Sequence, residues 1–234
     1  MGTLFYEGDW LVKTLQTDAE RADAYRLRHD VFAVELKWVP QSPSCMESDC
    51  YDAFAVHFGI FNAAGQVDGY VRLITSPRPF MVDHEFACLM TSITGFVKTS
   101  SMVELTRICI RKNVLSLTCH GMTLAQFLYK AVYNWCLEAG YTYMVAVVEK
   151  KYYILMKRSK FPLESVGDFI PLGDGVLSGV VMLDWRRIEK ELRPREDLRP
   201  PVERGGLLEE AGAVRSRRRG GRRKVAPRAP PQRR

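Results

Sequence analysis

The sequence contains no CxxC pair, and its four histidines show no spacing against its six cysteines (45, 50, 88, 109, 119 and 136) that resembles a zinc site. That removes the zinc ribbon and the dithiol oxidoreductase, and leaves no metal-ligand set. The cysteines are scattered through apolar segments, which suits a reduced, cytoplasmic protein. No apolar run approaches the roughly 20 residues that span a bilayer. The opening residues, MGTLFYEGDW, lack a basic region leading into an apolar core, so no signal peptide is expected. Nor does any Ser/His/Asp or Cys/His arrangement suggest nucleophilic catalysis. His29, His57, His84 and His120 read as ordinary polar or core histidines.

What the chain does have is enough length and apolar content for one sizeable core, 234 residues at 47% hydrophobic. Its net charge of +7 is unevenly placed. Residues 191–234 carry 14 Lys and Arg against 6 Asp and Glu, whereas residues 1–190 carry 20 against 21. The basic character therefore belongs to a Pro/Gly/Arg-rich tail, disordered by composition, and a near-neutral domain is expected over residues 1–190.

Residues 9–16 read as a first strand, and Thr17-x-x-Glu20 has the form of a capping box opening a helix that ends near Leu36. Two β-rich runs, 53–61 and 66–74, flank Asn62-Ala63-Ala64-Gly65 and predict a hairpin. A short helix is expected at 85–90 and a strand at 102–110, which would place Glu104, Thr106 and Ile108 on one face and Leu105, Arg107 and Cys109 on the other. Over 118–139 the spacing of Ala125, Leu128, Val132, Trp135 and Ala139 predicts a long helix stopped by Gly140. A buried strand (141–148), a short helix (150–159) and a last strand (176–185) follow. Strands alternating with helices, plus a hairpin, predict an α/β (α+β) domain with a mixed sheet and helices on both faces.

Residues 28–52 concentrate unusual chemistry. Arg28, Phe32 and Glu35 recur at helical spacing, and Trp38, Asp49 and Asp52 follow across a Pro/Ser loop. A cation, aromatic rings and acids so close together suggest a small charged ligand, although Asp49 and Asp52 alone would be turn residues and Phe32 and Trp38 alone would be core.

Together with later segments, these residues resemble the acyl-homoserine-lactone synthases of LuxI type. The matching pieces are Arg28-x-x-Val31-Phe32, Trp38, Glu47-x-Asp49-x-Tyr51-Asp52, Arg72-Leu73, Phe86 and Glu104-Leu105-Thr106-Arg107, in order across residues 25–160. The resemblance implies a GNAT-like acyltransferase fold, a mixed and mostly antiparallel sheet flanked by helices and split by a V-shaped cleft. It implies acyl transfer from an acyl carrier protein to the amino group of S-adenosylmethionine, then lactone closure with release of methylthioadenosine, making a quorum-sensing signal. Both reactants are substrates, and no cofactor is implied. In that picture Arg28, Phe32, Trp38, Asp49, Asp52 and Arg72 form the S-adenosylmethionine pocket, while Glu104, Arg107 and Asp49 organise its reactive side.

The residue types suit that acceptor. S-adenosylmethionine carries a sulfonium, an ammonium and a carboxylate, which call for an aromatic face, acids and an arginine fork. Its amine titrates near ~8, so a base assists attack on the thioester. Glu104 is the candidate base, with Asp49 as the alternative. Glu104 and Arg107 nevertheless fall on opposite faces of an ideal strand, and sharing a cleft would require a bulge or a strand end.

On the donor side, the segment RKNVLSLTCHGMTLA has only Gly121 where a coenzyme-A-dependent GNAT enzyme has a glycine-rich phosphate cradle, which favours a carrier protein while leaving coenzyme A thioesters open. Lys150, Lys151, Lys157, Arg158 and Lys160 are candidate docking residues for an acidic carrier. The resemblance places Met144, Ala146, Val148 and Met156 in the acyl pocket. Many 3-oxo-acyl producers have Thr where Ala146 stands, which favours an acyl chain unsubstituted at C3. An N-acyl amino acid synthase or an exosortase-associated acyltransferase is the rival reading within the superfamily. A nucleic-acid module acting through the tail is the rival outside it, and the near-neutral domain argues against that.

Overall fold

A computed structural model of the protein describes residues 2–192 except 92, 94 and 174. The tail expected at 191–234 lies outside the described residues from 193 onward. In chain order the elements are β1 (Leu4–Glu7), β2 (Trp10–Thr14), α1 (Asp18–Arg28), β3 (Val56–Phe61), β4 (Val67–Thr75), β5 (Met102–Ile110), β6 (Thr118–Cys119), β7 (Met122–Thr123), α2 (Leu124–Glu138), β8 (Tyr143–Glu149), α3 (Lys150–Arg158), β9 (Glu164–Ser165), β10 (Ile170–Leu172), β11 (Val176–Asp184) and α4 (Trp185–Leu192).

One sheet runs β1-β2-β3-β4-β5-β8-β11-β10, with β9 added beside β11, while β6 and β7 form a separate ribbon. β5 and β8 pair parallel, and the other neighbours in this order pair antiparallel. The parallel pairing is brief. Met102, Val103 and Glu104 face Tyr143, Met144 and Val145, and no further register follows, although β5 continues to Ile110 and β8 to Glu149. Beyond Glu104 the two strands part, which opens the sheet as a V.

Strand alternation sorts the core onto two faces. Val71 and Leu73 of β4, with Val103 and Leu105 of β5, pack against Phe127, Leu128, Ala131 and Val132 of α2. Tyr70 and Cys109 pack on the opposite face against Ala24 and Leu27 of α1. Fully burying a side chain such as Phe127 or Leu128 contributes about 1.5–3 kcal/mol.

Several sequence expectations shift in detail. The strand expected at 9–16 is β2, and β1, which was not expected, pairs with it as a hairpin. The helix opened by Thr17 has both halves of its capping box, Glu20 N–H on Thr17 Oγ1 at 3.2 Å and Thr17 N–H on Glu20 Oε2 at 3.1 Å. It stays α-helical only to Arg28 and then widens into a π-helix, His29–Glu35. The helix expected from 118 starts at Leu124, because Thr123 and Gln126 form a second capping box. The short helix expected at 85–90 is a 3-10 turn, Ala87–Met90. Gly140, with φ of +77°, follows α2 as the spacing predicted.

Candidate functional site

Four local devices bring polar residues from distant parts of the chain to the α1 face of the sheet. The first is the end of α1. Arg28 is fully buried there, with its guanidinium 5.1 Å from the Tyr25 ring and 5.4 Å from the Tyr70 ring. The π-helix that follows has Leu36 N–H bonded to the Val31 carbonyl at 2.9 Å. Its wider turn leaves Phe32 buried but turns Glu35 out to solvent, so the shared face read for Arg28, Phe32 and Glu35 does not hold at Glu35.

The second device is a 3-10 turn, Cys50–Phe54. Asp49 caps it by accepting the Tyr51 N–H at 3.0 Å, and Asp52 accepts the Asp49 N–H at 2.8 Å. The two aspartates are thus turn residues, and the turn aims Oδ1 of Asp52 and both oxygens of Asp49 at the cluster. The third is β4, which supplies fully buried Arg72.

The fourth is a bulge in β5. Arg72 faces Thr106 and Tyr70 faces Cys109, so β5 spends three residues where β4 spends two. Arg107 takes up the extra residue with a left-handed φ of +54°. The alternation predicted for this strand is therefore wrong after Thr106. Glu104, Thr106, Arg107 and Cys109 share the α1 face, while Leu105 and Ile108 pack toward α2.

The result is three guanidinium groups interlocked with three carboxylates. Arg28 donates to Glu47 Oε2 at 2.5 Å and to Asp52 Oδ1 at 2.6 Å. Arg72 donates to Asp49 Oδ1 at 2.5 Å, Asp49 Oδ2 at 3.0 Å, Asp52 Oδ1 at 2.7 Å and Thr106 Oγ1 at 2.9 Å. Arg107 donates to Glu47 Oε1 at 3.1 Å and Asp49 Oδ2 at 3.1 Å, with its guanidinium 5.8 Å from the Phe32 ring. Phe32 in turn stacks on Trp38, centroids 6.0 Å apart and planes 25° from parallel.

Burial divides this set into a platform and a rim. Arg28 and Arg72 are sealed, and the Glu47 and Asp52 side chains nearly so, whereas Asp49 and Arg107 keep 21% and 17% of their side chains accessible and Trp38 is 57% exposed. Burial by itself would raise the Asp52 carboxyl. Arg28 and Arg72 outweigh it and hold that carboxyl below its ordinary value.

Glu104 stands apart from the ion pairs among the described residues. It is fully buried, and its two oxygens accept the backbone N–H groups of Met81 at 2.5 Å and Val82 at 3.0 Å. Burial pushes its carboxyl up to about 7, although both N–H bonds oppose the shift.

The structure therefore brings together Arg28, Asp49, Asp52, Arg72 and Arg107, places Phe32 and Trp38 beside them, and puts Glu104 on the same face of β5. It does not put the acyl-pocket candidates there. Met144, Ala146, Val148 and Met156 pack in the core on the α2 face, across the opening between β5 and β8. Lys150, Lys151, Lys157, Arg158 and Lys160 are exposed on and just after α3, whose outer surface also exposes Ile154 and Leu155.

Two roles escaped the sequence reading. Glu47 was matched as a motif residue without a role, yet it joins Arg28 to Arg107. Tyr70 and His57 carried no polar signal beyond their residue types, because strand alternation alone says only that they are buried. Among the described residues no group of His, Cys, Asp and Glu could hold a metal ion, and no helix is long and apolar enough to cross a membrane.

Comparison with known proteins fits this geometry. An acyl-homoserine-lactone synthase from Agrobacterium fabrum is 27% identical over 176 residues, covering 73% of this chain and 82% of that protein. Two solved structures share the fold. A coenzyme-A-dependent acyl-homoserine-lactone synthase, BjaI, solved with SAM and isopentyl-CoA, superposes with a TM-score of 0.65 at 22% identity, covering 75% of this chain and 80% of that one. The synthase LasI gives a TM-score of 0.63 at 19% identity, covering 75% and 90%. The sequence model of the autoinducer synthases matches residues 12–190, which contain every element from α1 through β11. With that match running through the π-helix, the capped turn and the bulged strand alike, the chain belongs to the autoinducer synthase family.

Proposed function

We propose that this synthase acylates the amino group of S-adenosylmethionine from a thioester and then closes the homoserine lactone. The observation that carries this reading is the interlocked cluster of Arg28, Arg72 and Arg107 with Glu47, Asp49 and Asp52, set beside Glu104 where β5 and β8 part. The accessible members, Asp49, Arg107 and Trp38, meet the ligand: an acid for the ammonium, a guanidinium for the carboxylate, an aromatic face for the sulfonium. Arg28, Arg72, Asp52 and Glu47 form the platform beneath, and Phe32 supports Trp38.

Glu104 serves as the base, directly or through a water. Asp49 is the poorer choice because each of its oxygens already accepts two hydrogen bonds, three of the four from guanidinium groups, whereas each Glu104 oxygen accepts one. Glu104 first takes the ammonium proton; the freed amine nitrogen then bonds to the acyl carbon as the C–S bond of the thioester breaks, and the departing thiolate takes up the second proton lost from nitrogen and leaves as the thiol. In the second step the carboxylate oxygen attacks the γ-carbon, and the C–S⁺ bond breaks to release neutral methylthioadenosine. That step is intramolecular and has a good leaving group, so holding the chain folded suffices.

The donor side uses the other wall of the V. Met144, Ala146, Val148 and Met156 line the acyl pocket, so the thioester reaches the amine through the opening between β5 and β8. An acyl carrier protein docks on the basic face of α3, where Lys150, Lys151, Lys157 and Arg158 flank exposed Ile154 and Leu155. The β6–β7 ribbon ahead of α2, with Gly121 as its one glycine, supports a donor without a pyrophosphate to cradle.

The test is a mass-spectrometric assay with S-adenosylmethionine and parallel panels of carrier-protein and coenzyme A thioesters. Methylthioadenosine and acyl-homoserine lactone appearing together, with the carrier panel preferred, is the expected result. A linear N-acyl product without methylthioadenosine would overturn the lactonisation reading, and a preference for coenzyme A would overturn the docking one.

A further inference from the structure

We propose that neutral His57 is a positioning residue that fixes Arg28 against Asp52 through a closed ring of hydrogen bonds. The proposal rests on the reading of the charged cluster as the S-adenosylmethionine site.

His57 lies on β3 and is buried. Its Nε2 is 3.0 Å from the Asp52 carbonyl oxygen. A carbonyl only accepts, so Nε2 carries the hydrogen. Nδ1 of the neutral ring is then an acceptor, and the Tyr70 hydroxyl, 2.7 Å away, donates to it. With its hydrogen committed, the Tyr70 oxygen accepts from Arg28 Nη1 at 3.4 Å, and the same Nη1 donates to Asp52 Oδ1 at 2.6 Å. The chain of bonds thus leaves the Asp52 backbone, passes through His57, Tyr70 and Arg28, and returns to the Asp52 side chain.

Only one protonation state closes this ring. A hydrogen on Nδ1 would face the Tyr70 hydroxyl and force that hydroxyl to turn its own hydrogen elsewhere, toward the N–H donors of Arg28. The groups facing His57 are Tyr25 and Arg28 of α1, Asp52 of the 3-10 turn, and Tyr70 and Arg72 of β4. Burial lowers the proton affinity of the imidazole most. The Asp52 carbonyl and charge oppose that, and Arg28 and Arg72 add to the lowering. Acidification therefore places a charge beside two guanidinium groups and breaks the ring that holds them.

The experiment is calorimetric titration of S-adenosylmethionine into the full chain, with His57→Gln, His57→Asn, Tyr70→Phe and the His57→Gln/Tyr70→Phe pair, from about pH 5 to pH 8. Gln keeps a donor toward Asp52 but loses the acceptor for Tyr70; Asn keeps that acceptor. His57→Gln and Tyr70→Phe are each expected to weaken binding by about fivefold, the value of one hydrogen bond, and the pair by no more than the larger single effect. His57→Asn keeps the acceptor for Tyr70 but loses the donor to Asp52, so it is expected to weaken binding about as much as His57→Gln, and neither variant shows the acid-side weakening of the wild type. Glu104 titrates between pH 5 and pH 8, so acid-side weakening is assigned to His57 only where it persists in Glu104→Gln.

Absence of S-adenosylmethionine binding by the folded wild type would overturn the acceptor-site reading itself. Binding by the wild type with unchanged affinities in His57→Gln and Tyr70→Phe would overturn only the positioning role. If the His57 variants fail to fold, Tyr70→Phe and the wild-type pH profile decide, and a flat profile with an unaffected Tyr70→Phe rejects the proposal.

Discussion

Glu104→Gln tests the proposed base through the pH dependence of turnover. The carboxyl of Glu104 is lifted to about 7 by burial, so the ionised fraction rises about tenfold from pH 6 to pH 8, whereas a carboxylate near ~4.3 would be fully ionised throughout. The amine of S-adenosylmethionine also titrates near ~8 and shapes the raw profile. The ratio of wild-type to Glu104→Gln kcat, measured as methylthioadenosine release at saturating substrates, removes that contribution. A general base contributes about 100- to 10,000-fold, so the ratio should exceed about 100 at pH 8 and fall about tenfold by pH 6. Stability carries an independent signature. Because the folded-state value is raised from 4.5, the contribution of Glu104 is fully present below 4.5 and lost as pH rises through about 7. Relative to Glu104→Gln, which does not titrate, the wild type should lose about 3 kcal/mol between pH 4 and pH 8. A kcat ratio that stays flat across pH 6–8 would refute the assignment, as would a variant within threefold of the wild type.

Asp52→Asn leaves Arg28 and Arg72 short of a shared buried carboxylate and should cost about 3–5 kcal/mol at pH 7. The Asp52 contribution is present above 3.8 and lost as pH falls through its lowered folded value, so thermal melts of variant and wild type should converge in acid; equal melts at pH 7 would remove Asp52 from the platform. Trp38→Ala should weaken S-adenosylmethionine binding by about 5- to 30-fold, the worth of a cation–π contact, without lowering Tm, since the ring is exposed. Ala146→Thr should raise the ratio of 3-oxo to unsubstituted product when the two thioesters compete, and an unaltered ratio would displace Ala146 from the acyl pocket. Reversing Lys157 and Arg158 to Glu should raise KM for the carrier thioester, more at low salt, while KM for S-adenosylmethionine stays put.

The elements with strong periodicity were legible before any coordinates: the β3–β4 hairpin, β5 at 102–110, and the helix stopped at Gly140. What escaped was backbone irregularity. Nothing in Thr106-Arg107-Ile108 marks a bulge, because a non-glycine residue at φ of +54° has no compositional signal of its own, yet that residue decides that Glu104 and Arg107 share a face. The π-helix is equally silent; His29–Glu35 has ordinary helical residues, and only the Val31–Leu36 bond reveals the wider turn. For the site, the aspartates, arginines and aromatics came from motif order, and the fold then supplied what order cannot, the division into sealed platform and accessible rim. Glu47 was visible in its motif but silent about its partners, which lie 19 and 60 residues away along the chain.

The short parallel seam between β5 and β8 has an evolutionary corollary. Only three register pairs join the half that holds the charged cluster to the half that holds Ala146, Val148 and α3. With the acyl pocket placed as proposed, substitutions on the β8–β11 side are expected to retune which acyl group is accepted without disturbing the ion pairs of Arg28, Arg72 and Arg107 with Glu47, Asp49 and Asp52. On that placement, grafting residues 143–184 between relatives should carry acyl preference along while leaving the acceptor unchanged.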